Sequence, residues 1–432
     1  MNKSKFLLFF ILFCSFCYLC QASCATCVSG SYLTVFQLGY GWIVPDEQAD
    51  ADYNPATIYN IEGRRLFFAY SMDDYISSNI QHNYYGRNTF LVIPFDKLKC
   101  AIRYKTLSKE DYEKYSIGLS EITHNIINDD FGLTAFFSYP VKYNFKTGLS
   151  VGINTNDYDS SYEGDLNIYD SFDKNYSNKY HINTGVIFEL NETWGIGGSF
   201  GIEYGISKFN KSFLIDADNL KLKISLLPEF RVFRPESYVI VRSFLSLFYE
   251  SALTRLQDYI LWITEDESYY NLNMETGLGL YYEMQDKTII NCGIKYNYIF
   301  DNKVRNYIYN IINTTRYSGF DILVFVGMDK PVLYDWFHLR FVYNILKVKN
   351  YDTYFYREQN SFLVSNDNKK ENEIIFLPEL INNIILGATI KFGDNILFNV
   401  NFGKNLFYIY SYNERINSIK IGIDMEIIFM FE

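Results

Sequence analysis

"WGIGGSFGIEYGI", Trp194–Ile206, places an apolar and mostly large residue at every second position: Trp194, Ile196, Gly198, Phe200, Ile202, Tyr204 and Ile206. The residues between are Gly195, Gly197, Ser199, Gly201, Glu203 and Gly205. Side chains on a strand alternate between two faces. This segment therefore predicts a strand with one face of bulk and grease and one of small or charged groups.

The same period recurs along the chain. Ile182, Val186, Phe188 and Leu190 face away from His181, Asn183 and Glu189, and Leu222, Ile224 and Leu226 from Lys221, Lys223 and Ser225. In 271–283 Leu272, Met274, Leu278 and Leu280 alternate with Asn271, Asn273, Glu275 and Gly277. The last segment is the cleanest: Ile419, Ile421, Ile423, Met425, Ile427, Phe429 and Phe431 against Lys420, Gly422, Asp424 and Glu426. No segment of useful length has a helical period.

Composition agrees with an all-β chain. Among 432 residues there are 40 Tyr and 37 Phe but 8 Pro, and aromatics fit a pleated surface that Pro interrupts. The net charge of −11 with no basic cluster argues against nucleic acid as a partner.

A soluble sandwich would also alternate, so other features must decide. Many of the alternating runs exceed ten residues, the length a tilted strand needs to cross hydrocarbon. Tight turns near 96–98, 144–147, 191–193, 234–236, 284–286, 330–333 and 393–395 alternate with longer polar loops near 159–179, 208–218, 251–268, 302–316 and 350–379. That is the two-rimmed layout of an outer-membrane barrel. The charged register must then face water inside, because a sheet in lipid has to close on itself. The expected fold is a transmembrane antiparallel up-and-down β-barrel of about 14–16 strands over residues 65–432. Sixteen segments can be counted; 65–107 is less regular, and 108–130 has room for a further hairpin. Pro94, Pro140, Pro228 and Pro331 sit near the short-turn rim, with a bulge expected at Pro228.

The N-terminus reads as a targeting segment. Lys3 and Lys5 precede an apolar run from Phe6, and small residues follow at Ala22, Ser23 and Ala25. Residues 1–23 are expected to be a signal peptide cleaved near 22–25, which implies export to the outer membrane. Cys14, Cys17, Cys20, Cys24 and Cys27 read as small apolar residues of this region, with lipidation at Cys20 or Cys24 the alternative; Cys100 and Cys292 fall on apolar strand registers.

Residues 24–64 stand apart, since "PDEQADADYNPATIYN" is turn-rich and carries Asn54-Pro55-Ala56. Asn-Pro-Ala, then "FFAYS" (Phe67–Ser71), then a "VIPF" strand and the hairpin "SYPVKYNFKTGLSVGIN" (Ser138–Asn154), resembles the FadL-type long-chain fatty-acid transporter superfamily of outer-membrane β-barrels, in its divergent branch that includes the type IX secretion shuttle. The likeness spans mainly residues 50–160 and lacks the Gly-Met-Gly-Gly-Ala-like element that often precedes Asn-Pro-Ala. It implies that 24–64 is a hatch-like segment folded into the lumen, centred on Asn54, Pro55 and Ala56. It also implies passage of hydrophobic compounds. Barrels of that superfamily have 14 strands.

Several short motifs match chemical signatures but have plainer structural readings. Gly148-Leu-Ser150-Val-Gly152 matches a nucleophile elbow, but alternation continues through Val151 and Ile153, so it is strand and no enzyme is expected. Gly195-Ile-Gly197-Gly198 has no helix behind it to bind phosphate. His82, His124, His181 and His338 are not in metal-ligand spacing, and the acids Asp157, Asp159, Glu163, Asp165, Asp170 and Asp173 read as a hydrated loop; no cofactor or metal is expected. Lys221, Lys223, Arg231, Lys295 and Arg340, with Glu203, Glu229 and Glu275, are expected to line the lumen, as cross-strand ion pairs or as a solute-guiding strip.

The functional expectation is passive transport of hydrophobic or small solutes across the bacterial outer membrane. The alternative is a non-transporting surface or secretion-associated barrel that binds partners through long extracellular loops. Expected partners are outer-membrane lipids, the barrel assembly machinery acting on the C-terminal strand, and a hydrophobic small-molecule ligand.

Overall fold

The computed structural model describes residues 47–76, 80–117, 120–164, 171–191, 193–210, 213–234, 237–258, 263–307, 311–333, 336–359, 362–375, 384–393, 395–402 and 419–431. The signal-peptide reading, and with it Cys14 through Cys27, lies outside them. A short helix α1 (Glu47–Tyr53) and a 3-10 turn (Pro55–Asn60) lead into the sheet. Its strands are β1 (Arg64–Ile76), β2 (Ile80–Phe95), β3 (Leu98–Ile117), β4 (Ser120–Lys142), β5 (Phe145–Gly164), β6 (Ser171–Glu189), β7 (Trp194–Asn210), β8 (Phe213–Arg234) and β9 (Ser237–Asp258). They continue as β10 (Ile263–Met284), β11 (Ile289–Tyr307), β12 (Ile311–Leu333), β13 (Phe337–Gln359), β14 (Phe362–Ile375), β15 (Ile384–Phe392), β16 (Ile396–Phe402) and β17 (Ile419–Phe431).

Apart from β14 and β15, each strand pairs antiparallel with its sequence neighbour, and β1 pairs with both β2 and β17, so the sheet closes. β14 pairs with the far half of β13, from Lys347 to Gln359, and β15 with its near half, from Phe337 to Tyr343. The two run in one direction and together make a single staved position, which gives a 16-strand up-and-down barrel. The count from sequence is therefore met at 16, two more than the 14 of the superfamily it resembles.

Burial follows the alternation. On β7 Trp194, Ile196, Phe200, Ile202 and Tyr204 are exposed on the outer face, while Gly195, Gly197, Ser199 and Gly201 are buried on the inner one. Trp194 and Trp336 stand outward at the short-turn rim; Tyr180, Tyr204, Tyr249 and Tyr270 stand outward further up, with Tyr180 directly opposite Tyr204. Trp194 to Tyr204 spans about ten residues, hence about 33 Å along the strand and about 25 Å vertically at the usual tilt. That equals the apolar band of a membrane barrel, with an aromatic girdle at each edge.

Strands continue well past the upper girdle. The stretches read as polar loops near 159–179, 208–218, 251–268, 302–316 and 350–379 are mostly strand, and 108–130 is the far end of the β3–β4 hairpin rather than an added pair. Alternation fades there because both faces are wet, so period-2 hydrophobicity stops marking the strand while backbone pairing goes on. At Pro228 the β8–β9 ladder lapses between Leu226↔Leu245 and Glu229↔Arg242, yet the register on both sides is the same, so there is no bulge. The register shifts near proline occur at Pro140/Lys142 and Pro331/Leu333, beside the short turns.

Candidate functional site: the lumen and the segment inserted into it

The turn-rich reading of "EQADADY" is corrected: Glu47–Tyr53 is a helix, in which Glu47, Gln48, Ala49 and Ala51 favour the fold and the less favourable Asp50 and Asp52 are held by cations of the wall. Asn54 ends it and starts the 3-10 turn. Its side-chain oxygen accepts the Ala56 N–H at 3.1 Å, and Pro55 occupies the first position, where no backbone donor is needed. The Asn54 amide reaches the Val186 carbonyl on β6 at 2.8 Å.

Asn54, Pro55 and Ala56 are all buried against the inner faces of β4, β5 and β6. Ser138 donates to the Ala56 carbonyl at 3.1 Å. Gly148 and Gly185 make the close approach possible. A methyl on Gly148 would collide with the Ala56 nitrogen and the Pro55 carbonyl carbon, and one on Gly185 with the Asn54 side chain. The glycine that opens the Gly-x-Ser-x-Gly motif thus serves as a seat for Asn-Pro-Ala, and Ser150 is buried on the inner face of an uninterrupted strand.

Apolar contact completes the seat. Ile58 and Ile61 pack with Phe67, Phe90, Val92, Ala101, Phe136 and Ile428, which line the inner face of β1–β4 and β17. Fully burying such side chains contributes roughly 1.5–3 kcal/mol each. On the other side Tyr53 meets Phe244 edge-to-face at 6.3 Å. Burial pushes the Tyr53 hydroxyl well above the ordinary phenol range, with the Glu275 carboxylate adding to the shift, so it stays neutral.

Charge holds the helix across the lumen. Arg242 on β9 places Nη1 2.7 Å and 2.9 Å from the two Asp50 carboxylate oxygens. Asp52 pairs with Arg103 and, at 3.4 Å, with Lys105, both on β3. Arg103 is almost wholly buried, with its guanidinium 4.2 Å from the Phe90 ring centre and 5.3 Å from that of Phe136. Lys99 donates to the carbonyls of Tyr59 and Ile61, and Lys146 to Asn60 Oδ1 at 2.8 Å; the two ammonium groups lie 5.2 Å and 5.5 Å from the centre of the Tyr59 ring. These wall residues lie within about eight residues, about 26 Å of chain, of the short turns. The inserted segment occupies the short-turn half of the barrel.

The residues expected to line the lumen divide into three groups. Glu275 and Lys295 form an ion pair between β10 and β11 at 3.3 Å, and Glu203 lies opposite Lys221, which itself lies opposite Glu250. Arg340 is buried with Asp329 at 2.8 Å and Thr389 at 2.6 Å, and Asp329 also takes His338 Nδ1 at 2.8 Å. Lys223, Glu229 and Arg231 occupy positions on β8, but their side chains lie outside those described. Asp165 and Asp170 likewise fall outside the described residues. Among the described residues no group of three or more His, Cys, Asp or Glu is arranged to hold a metal ion.

The wall's charged contacts to the segment, Arg103, Lys105 and Arg242 with Asp50 and Asp52 and Lys146 with Asn60, were not singled out from sequence. A signal existed: Asp50-Ala-Asp52 precedes Asn-Pro-Ala, and two cations sit on the non-lipid register, Arg103 between Ile102 and Tyr104, and Arg242 between Val241 and the small Ser243.

No protein-family model matches the chain, and no curated protein matches it in sequence. Solved structures of similar fold exist. A TodX deltaS2S3 mutant monoaromatic hydrocarbon channel is 11% identical, with 88% of this chain and 93% of that one covered at a TM-score of 0.40. A Pseudomonas aeruginosa FadL homologue is 10% identical, with 91% and 96% covered at 0.40. The ferric yersiniabactin uptake receptor FyuA from Yersinia pestis is 10% identical, with 85% and 80% covered at 0.35.

Proposed function

We propose that this protein is an outer-membrane transport barrel for hydrophobic or small solutes, with residues 47–61 as its plug. One observation carries the reading: the segment is seated in the lumen by groups on β3, β4, β5, β6 and β9, and two of those seats, Gly148 and Gly185, have no side chain. A barrel serving only as a scaffold gains nothing from a wall cut to fit a separate segment. In this reading β17, which closes on β1, is the strand the assembly machinery engages, and hydrophobic solutes are the ligands sought.

The test is single-channel recording in planar bilayers. Removal of 47–61 should raise conductance several-fold above the intact barrel. Equal conductance with and without the segment would end the plug reading.

A second reading, a surface barrel that binds partners, draws on the strand extensions past the upper girdle. β12 and β13 are each of 23 residues, and β13 carries Asp352, Arg357 and Glu358 in that region. Trimming those hairpins would then abolish partner capture while leaving conductance unchanged.

A further inference from the structure

The outer face of the barrel carries a gap in its upper girdle. The registers set Tyr180, Tyr204, Leu220, Ser251 and Tyr270 in one line across β6 to β10. Four of these side chains are large; Ser251 is not. Tyr249 and Leu253 stand two residues below and above it on the same face of β9. The short side chain leaves a cavity of about 360 Å³ walled by Tyr204, Leu220, Tyr249, Leu253 and Tyr270, and no charged residue lines it.

The same line runs on from Tyr270 to Asn302 and Arg316. Asn302 is buried, and its side-chain oxygen accepts Arg316 Nε at 3.2 Å, which pins an exposed guanidinium against the wall. Across the sheet Arg316 faces Tyr354, and among the described residues no carboxylate pairs with it. Three strand spacings, about 14 Å, separate it from Ser251.

We propose that the Ser251 cavity and Arg316 together bind one phosphorylated sugar lipid of the outer leaflet. Height and face name the source: the short turns mark the periplasmic rim, so the upper girdle lies among outer-leaflet headgroups. Chemistry names the class. Tyrosine rings and a serine hydroxyl, without charge, suit a sugar ring, whose C–H face packs on an aromatic and whose hydroxyls exchange hydrogen bonds. The guanidinium fork suits a phosphate. A glycerophospholipid carries its phosphate beside its glycerol and has no ring to fill the cavity while the phosphate reaches Arg316. A phosphorylated sugar lipid has both parts. The site holds whether or not the lumen conducts.

Native mass spectrometry of the detergent-extracted full chain tests this, with three added lipids: a diphosphorylated disaccharide lipid, its dephosphorylated form, and phosphatidylglycerol. The parent should retain one copy of the first in preference to the others. Ser251→Trp, which fills the cavity, and Arg316→Gln should each lower that retention about tenfold, the equivalent of one lost charge-assisted or well-packed contact. Leu133→Trp, on the same line of the outer face but on β4, should leave it at the parent level. Heat-dependent migration checks that each variant is folded, and Ser251→Leu replaces Ser251→Trp if the latter is not. Undiminished retention in the Ser251 or Arg316 variants overturns the site. Equal retention of phosphatidylglycerol by the parent overturns the sugar assignment and the proposal with it.

Discussion

Arg242 and Asp50 are separated by 192 residues yet meet through two contacts, at 2.7 Å and 2.9 Å, inside the barrel. Both are buried. A buried pair is a weak source of net stability, because desolvation consumes most of the Coulomb gain, but removing one partner leaves an uncompensated charge costing about 3–5 kcal/mol.

Arg242→Gln should therefore loosen the segment while the barrel persists. Local opening of 47–61 is expected to rise by about a hundredfold or more, the equivalent of about 3 kcal/mol. Chymotrypsin cleavage near Tyr53 from the short-turn side would measure it, and a cleavage rate equal to the parent's would contradict the assignment.

The glycine seats give a steric prediction. Gly148→Ala drives a methyl into backbone atoms of Pro55 and Ala56, which no rotamer change relieves. Gly201→Ala meets only the Asn183 side-chain oxygen at 3.3 Å, which can shift. The first should cost about 1–3 kcal/mol of seating and raise bilayer current; the second should leave current near the parent level. Equal effects of the two would mean that the fit at Gly148 does not matter.

Asp329, Arg340 and His338 make an enclosed ion cluster away from the segment. Arg340→Met alone should destabilise the barrel by about 3–5 kcal/mol, and adding Asp329→Leu should recover most of that loss, because both charges then leave together. Heat-dependent migration of the detergent-solubilised protein reads the order of stabilities. A double variant less stable than Arg340→Met would refute the account.

Leu278 tests which face meets lipid. It is 51% exposed on the outer register, about midway up the apolar band. Leu278→Lys should cost roughly 2–4 kcal/mol of folding into bilayers, as a charge does near the midplane. Gly277→Lys, on the inner register opposite Lys295, should leave insertion into lipid unaffected at its outer face and change conductance instead. A tolerated lysine at 278 would reverse the assignment of faces.

The alternating core of the barrel was readable because lipid on one side and a wet or small-residue lumen on the other impose opposite demands on neighbouring residues. Trp194–Ile206 and Ile419–Phe431 show this most clearly. Where those demands changed, the reading weakened for definite reasons. The run Leu66-Phe67-Phe68-Ala69 and the run Phe90-Leu91-Val92-Ile93 look irregular because their inner faces are apolar too: Phe67, Phe90 and Val92 pack on Ile58 and Ile61. A strand buried on both sides loses its period. Above the upper girdle both sides meet water, and Leu98–Ile117 and Ser120–Lys142 run on as strands with no alternation to announce them. For the site, Asn54-Pro55-Ala56 was legible from a short motif. Asp50 and Asp52 were not, because their partners lie on β9 and β3, and a pairing that distant leaves no local mark.

Gly63, in the left-handed region at φ +63°, is the pivot between the 3-10 turn and β1, and its neighbour across the seam is Phe431 at the far end of the chain. The first stave can bond to the last only after every stave between has been laid down. The acids at 50 and 52 precede that first stave by a dozen or so residues, so a short tether joins the segment to the seam. The residue that turns the chain from stopper into wall therefore also borders the join of the hoop, so one glycine serves both.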